Sequence, residues 1–360
     1  MRKIVLFIAV VLVFLNTGIT VNANTAEDLG VDTLFDYVDD SGQDILEYLG
    51  IKNSVDSYDV DLENVIDLLS DLFKEKYVSP FKCLSIAISA IVLSSFLSSF
   101  DGDSEKFCSL AGALAVCAIY LPYIALQITA ASNLIDSVSV FTIAAIPIYT
   151  VLHIACGNVA LGTSYGGISI IGANLYIRLL TDIVIPSLSI FLGLSVSACF
   201  SHINIKSIAD SIYKFIKWIM VLSVTIFSGI VSVQSAVAGA TDVASAKTIK
   251  FIAGTTIPVV GTAFGDGITA IQYSISVLKT GAGAFGIIAC VCIFLPYVVE
   301  LLLWMFSCQI ALLVSEIFSA KSISDFLSLV MVVLKIIMAL MLSICIISIV
   351  TSAITLVYGA

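Results

Sequence analysis

Leu329 to Val357 reads LVMVVLKIIMALMLSICIISIVTSAITLV, 29 residues in which Lys335 is the single charge. A helix needs about 20 apolar residues to cross the hydrocarbon core of a bilayer, so this stretch crosses with length to spare. Comparable runs bounded by charges occur at about 81–100, 107–131, 174–200, 213–236 and 285–312. Two more apolar stretches, about 138–156 and 249–275, are interrupted by proline and glycine. Over the whole chain 59% of residues are hydrophobic, 12% are charged and the mean hydropathy is +1.11. Soluble domains carry roughly twice that share of charge. The pattern predicts an all-α polytopic membrane protein with about six to eight membrane segments.

The N-terminus reads differently. Arg2 and Lys3 precede a short apolar run, Ile4 to Leu15, followed by polar residues and Val21-Asn22-Ala23. That order predicts a signal peptide, residues 1–23, cut after Ala23, with an uncleaved anchor as the alternative. Either one exports the segment that begins at Asn24. Residues 24–80 hold 15 of the 26 acidic residues against Lys52, Lys74 and Lys76, a net charge of −12, whereas residues 81–360 balance 11 acids with 11 bases. Such acidity argues against nucleic acid as a partner. Leu62, Val65, Ile66, Leu69, Leu72 and Phe73 recur at helical spacing, and shorter apolar sets lie at Leu34-Phe35-Val38 and Ile45-Leu46-Leu49. Small amphipathic exported helices are expected here. They fold on one another, lie at the bilayer surface or dock a partner.

The membrane body carries signs of an internal duplication. Ala145-Ile146-Pro147-Ile148 resembles Thr256-Ile257-Pro258-Val259, the next prolines follow 39 residues later at Pro186 and 38 later at Pro296, and Lys206-Ser207-Ile208-Ala209-Asp210 resembles Lys321-Ser322-Ile323-Ser324-Asp325. A competing match of Leu121-Pro122-Tyr123 with Leu295-Pro296-Tyr297 uses another offset. The resulting division is two leading transmembrane helices within 81–136, repeat 1 at 137–240 and repeat 2 at 241–360. Paired repeats with broken helices are common where a pathway lies at their interface. Pro147 with Gly157, and Pro258 with Gly261 and Asp266, are therefore candidate pathway or gating residues; a merely kinked, closely packed helix is the alternative. Re-entrant stretches give six crossings and spanning ones eight, with seven also open. Six is preferred by the placement of Lys206, Lys214 and Lys217 inside, with Lys247, Lys250 and Lys279 then outside.

Glu300 lies in mid-helix, where an unpaired carboxylate costs about 2.5–3.5 kcal/mol on insertion. Lys335 is its candidate partner, and protonation is the other route. Both join the pathway candidates. Arg178 and Asp182 are spaced as a self-satisfying (i, i+4) pair. No Walker A loop, His-rich metal cluster or nucleophile elbow occurs, and His153 and His202 stand alone. The nine cysteines lie in or beside apolar runs and read as small hydrophobes. No cofactor, metal or catalysis is expected.

The order of leader, acidic amphipathic segment and Pro/Gly-interrupted body resembles the stage III sporulation protein AE family of endospore-forming Firmicutes. The resemblance rests on Ile146-Pro147 leading to Gly157, on Lys250-Phe251, on Ile257-Pro258-Val259-Val260-Gly261 with Asp266, and on Leu278-Lys279 and Gly286. It implies a multi-pass protein of the mother-cell membrane around the forespore, a component of the channel complex joining the two cells. Implied partners are the membrane and ring-forming subunits of that complex, a secretion-type ATPase, membrane lipid and further copies of the chain. The N-terminal segment would face the intermembrane space. A permease-like or export-gate core is the first expectation. A non-conducting scaffold is the second, and an ion-coupled small-solute transporter the third.

Overall fold

A computed structural model describes residues 30–51, 62–98, 104–198, 205–256 and 261–357. The expected cleavage after Ala23 and the proline of the second broken stretch, Pro258, lie outside the described residues. Every described element is helical. A 3-10 turn, Asp32–Tyr37, precedes α1 (Asp40–Tyr48) and α2 (Leu62–Lys76), and then come α3 (Val78–Ser98) and α4 (Ser104–Ala155). A π turn, Leu180–Val184, joins α5 (Val159–Leu179) to α6 (Ile185–Ala198). The long helices α7 (Ile205–Thr256), α8 (Gly261–Ile317) and α9 (Lys321–Val357) complete the chain. Among the described residues six stretches are long and apolar enough to cross a membrane: Val78–Ser98, Phe107–Ala155, Val159–Ser197, Asp210–Ala238, Ser276–Ile317 and Lys321–Thr355. The protein is an all-α polytopic membrane protein.

Helix ends follow from local chemistry. Asp39 caps α1 by accepting a hydrogen bond from Gly42 N at 3.0 Å, and the acids around it suit the positive end of the helix dipole. Gly50, at φ +80°, closes α1 with Ile51 N donating to Leu46 O at 2.8 Å, the wrap-back bond of a Schellman cap. Gln43 Nε2 donates to Phe35 O and Val38 O, tying the 3-10 turn to α1.

The first Pro/Gly-broken stretch departs from expectation. The predicted crossing at 107–131 and the stretch at 138–156 are one helix, α4, which runs on through Pro122 and Pro147. Proline in a membrane helix removes one N–H and is tolerated where neighbours and Ser/Thr side chains re-satisfy the backbone; three residues beyond Pro147, Thr150 Oγ1 donates to Ile146 O at 2.8 Å. The break falls instead at Gly157, φ +87°, with Asn158 N donating to His153 O at 2.9 Å. A third cap of this form closes α8, but Ser319 occupies its left-handed position at φ 55° while Ala320 N donates to Ser315 O. L-residues pay about 1 kcal/mol there. Gly157→Ala is thus expected to lower stability by about 1 kcal/mol and Ser319→Gly to raise it by up to about 1 kcal/mol, read as opposite shifts in detergent thermal unfolding midpoints.

The π turn also overrides a local expectation. Pro186 offers no N–H to Asp182 O, and a widened turn relieves the clash of its ring with that carbonyl. Widening dephases the face that Arg178 and Asp182 would share. Both side chains are exposed, and no ion pair within 4.0 Å joins them.

Helices α4, α8 and α9 form the centre of the bundle, with α3 on one side of α4 and α5, α6 and α7 packed along α4 and α9. The acidic N-terminal segment packs its apolar side onto α8. Phe35 meets Phe285 with ring centroids 6.4 Å apart, and Gly42 lies where an added Cβ would be 3.0 Å from Ile293 Cγ1. Leu34, Leu46 and Ile51 are buried, while Asp36, Asp40, Asp44 and Glu47 face outward.

Candidate functional site: an interhelical polar seam

Apolar membrane helices gain little from packing against each other rather than lipid, so polar side chains that pair across them fix register. A row of such pairs runs along α4 where it meets α8 and α9. Tyr120 Oη lies 3.1 Å from Ser307 Oγ, which also donates to Pro80 O at 3.0 Å, linking α3, α4 and α8. Two turns on, the Gln127 amide donates to Glu300 Oε1 at 2.7 Å. Thr142 Oγ1 and Ser348 Oγ are 2.7 Å apart. Tyr149 Oη reaches Ser352 Oγ at 3.3 Å and Ala282 O at 3.4 Å, and Tyr165 donates to Thr351 O at 2.9 Å.

The seam ends on a buried cation. Lys279 is 0% exposed and its Nζ stands 3.2 Å from His153 Nδ1. With Lys279 as donor, Nδ1 carries no proton and Nε2 does. Nε2 has no hydrogen-bond partner among the described residues. Tyr165 packs on the same imidazole at a centroid distance of 5.5 Å. The charge pattern puts Lys279 on the outer side of the membrane; in the structure its side chain is buried within α8.

Glycines set how closely the seam closes. An added Cβ at Gly286 would overlap Tyr149 Oη and meet Ser352 Oγ at 2.5 Å. At Gly166 it would lie 2.5 Å from Thr150 Oγ1, and at Gly112 it would overlap the Ser94 side chain. Two outward-facing clefts flank the seam: one of about 650 Å³ between α5 and α7, beside Ser164, Gly229 and Gln234, and one of about 360 Å³ between α4 and α6, beside Ala125, Thr129 and Gly193.

The predicted candidates do not form one cluster. Glu300 is half-buried in the seam and its partner is Gln127, 173 positions away in sequence, rather than Lys335. Lys335 is exposed on α9 and makes no ion pair with Glu300 within 4.0 Å. Pro147 lies on the outer face of α4 and Gly157 caps that helix. Gly261 and Asp266 belong to the first turns of α8. Sequence reading misses Gln127, Tyr149, Thr142 and Ser352 because uncharged polar residues are ordinary in apolar runs; His153 and Lys279 are visible as polar residues but not as a pair.

Removal of one member exposes the cost of the other. Gln127→Leu leaves the half-buried carboxylate of Glu300 without its donor and is expected to cost about 1–3 kcal/mol. Gln127→Leu combined with Glu300→Leu should return most of it, in a double-mutant cycle of thermal unfolding.

Chemically, the seam can hold helices in register or, if they part, present a polar lining. Among the described residues no group of three His, Cys, Asp or Glu side chains could hold a metal ion. A family profile described as stage III sporulation protein AE matches residues 50–359. A protein of Bacillus subtilis (strain 168) named stage III sporulation protein AE is 28% identical over 164 residues, covering 45% of this chain and 41% of that relative's length. No solved structure matches.

Proposed function

The chain belongs to the stage III sporulation protein AE family, and from that premise we propose that it is the permease-like membrane core of a multiprotein channel linking mother cell and forespore. The polar seam supports this reading. Its Thr142–Ser348, Tyr149–Ser352 and His153–Lys279 contacts are side chain to side chain, so small helix displacements exchange them for water without breaking backbone bonds. Ring subunits and a partner ATPase supply directional work, since the chain carries no nucleotide-binding motif of its own. The acidic outer face of residues 32–47 is the surface offered to those subunits outside the membrane.

A non-conducting scaffold is the second reading, favoured by the side-chain pairing that closes the seam in this state. Cysteines placed at Thr142 and Ser352 in a chain lacking its native cysteines distinguish the two. In membranes holding the assembled complex, reaction with a small water-soluble thiol reagent is the expected result. Protection of both positions in every condition that supports sporulation defeats the channel reading and leaves the scaffold.

A further inference from the structure

A buried hydroxyl or imidazole N–H that bonds to nothing destabilises a fold, and in a membrane body bulk water is not at hand to satisfy it. Five buried polar side-chain atoms stand in this position among the described residues: His153 Nε2, Ser169 Oγ, Tyr176 Oη, Ser228 Oγ and Thr355 Oγ1. Their distribution is uneven. Ser228 lies on α7, but the other four lie where the end of α4, α5 and the end of α9 come together, and none of those four residues is more than 4% exposed.

Their order follows from the register of α5 and α9. Tyr165 donates to Thr351 O, and its hydroxyl also lies beside those of Ser169, one turn further along α5, and Thr355, one turn past Thr351 on α9. Tyr176 lies beside Ser343, whose own hydroxyl is turned to Leu340 O at 2.7 Å. The two helices are therefore antiparallel, and the distance along α5 from Tyr165 to Tyr176 is three turns, about 16 Å. They approach closely at few points, so the tyrosines span the gap between them. Between the tyrosines α5 carries two short buried side chains, Ser169 and Ala173. At the near end the Tyr165 ring packs on His153, and Lys279 occupies Nδ1 of that imidazole, which leaves Nε2 as the unbonded donor.

Each hydroxyl can both donate and accept, and the Nε2–H needs an acceptor. Water meets both needs. No acidic residue lies among these groups to hold a metal cation. Buried waters in proteins take up such sites, each typically making about three hydrogen bonds to groups otherwise unsatisfied.

We propose that the interface of α5 with α9 binds a file of ordered water, running from His153 Nε2 past Tyr165, Ser169 and Thr355 to Tyr176. The seam of α4 with α8 and α9 is paired side chain to side chain and is dry. The file makes α5 the wall of the bundle that is held by exchangeable contacts, and it keeps protons within reach of the His153–Lys279 pair. This inference concerns a bound ligand and does not rest on the channel reading.

Solid-state NMR that follows magnetisation from water into the protein tests it, in the full chain carrying 13C-labelled serine and threonine and reconstituted in deuterated phosphatidylcholine vesicles. Thr142 and Ser348, buried and 2.7 Å from each other, are the controls of matching residue type. Signals are assigned by their loss in Ser169→Ala, Thr355→Ser, Thr142→Ser and Ser348→Ala. Transfer to Ser169 and Thr355 is expected to be several times faster than transfer to Thr142 and Ser348. Equally slow transfer to all four overturns the proposal, because the unbonded hydroxyls are then dry. Equally fast transfer overturns it as well, since hydration would not be particular to α5 and α9. Thermal unfolding of Thr355→Val in detergent reads the same site without assignment. The midpoint is expected to fall, because the bound water loses a partner; an unchanged or raised midpoint is the mark of a dry, unsatisfied hydroxyl and overturns the proposal.

Discussion

Gly286→Ala is expected to destabilise the helical bundle by about 2–3 kcal/mol, the upper part of the range for overpacking. The added methyl group would occupy the position of Tyr149 Oη and press on Ser352 Oγ at 2.5 Å and Ser352 Cβ at 3.0 Å. Both neighbours are buried, and Tyr149 cannot swing outward because α4, α8 and α9 enclose it. Its hydrogen bonds to Ser352 and Ala282 O are lost with any movement. Tyr149→Phe removes the overlapping oxygen at the cost of those two bonds, so alone it is expected to cost about 1–2 kcal/mol. Combined with Gly286→Ala it should recover part of the loss. A coupling of about 1 kcal/mol or more in the cycle, measured from thermal unfolding in detergent, is the expected result; strict additivity would show that the two residues do not meet.

Gly286 also shows which features of the fold are written locally. The long helices are legible as apolar runs because the bilayer demands continuous hydrophobic sequence, and the stretch 329–357 lies within α9, which begins earlier, at Lys321. The amphipathic period of residues 62–73 likewise forecasts α2. Boundaries depending on one residue's backbone are less visible: Pro147 looks like a breaker yet sits inside α4, whereas Ser319 takes a left-handed conformation that sequence would assign to glycine. Least visible are pairings between distant positions. Nothing local in Gln127 signals that Glu300 needs it, and the charge pattern offers Lys335 instead. The acidic segment reads correctly as amphipathic, but the surface receiving its apolar side, Phe285 and Ile293, is indistinguishable by composition from lipid-facing sequence.

The buried end of the seam carries the second large effect, with an asymmetry that separates a structural from an ionic role. His153 and Lys279 meet at 3.2 Å, and Lys279 has no exposed surface. Removing the partner of a buried charge costs about 3–5 kcal/mol where nothing else compensates that charge, and removing the partner of a buried neutral group costs about 1–3 kcal/mol. Lys279 has a further contact besides His153, so His153→Leu is expected to lose about 2–3 kcal/mol, below the full cost of an uncompensated buried charge. Lys279→Met retains most of the length of the side chain and removes the buried amine but leaves His153 Nδ1 without a donor, so its expected cost is smaller, about 1 kcal/mol. The order, His153→Leu worse than Lys279→Met, is the diagnostic outcome in thermal unfolding. If Lys279→Met instead unfolds the chain, the ammonium makes contacts whose worth exceeds its desolvation, and the seam is anchored by charge at this end. If stability is kept but sporulation fails, the pair acts in the movement of the helices rather than in holding them, because a packing residue of matched volume would have preserved both.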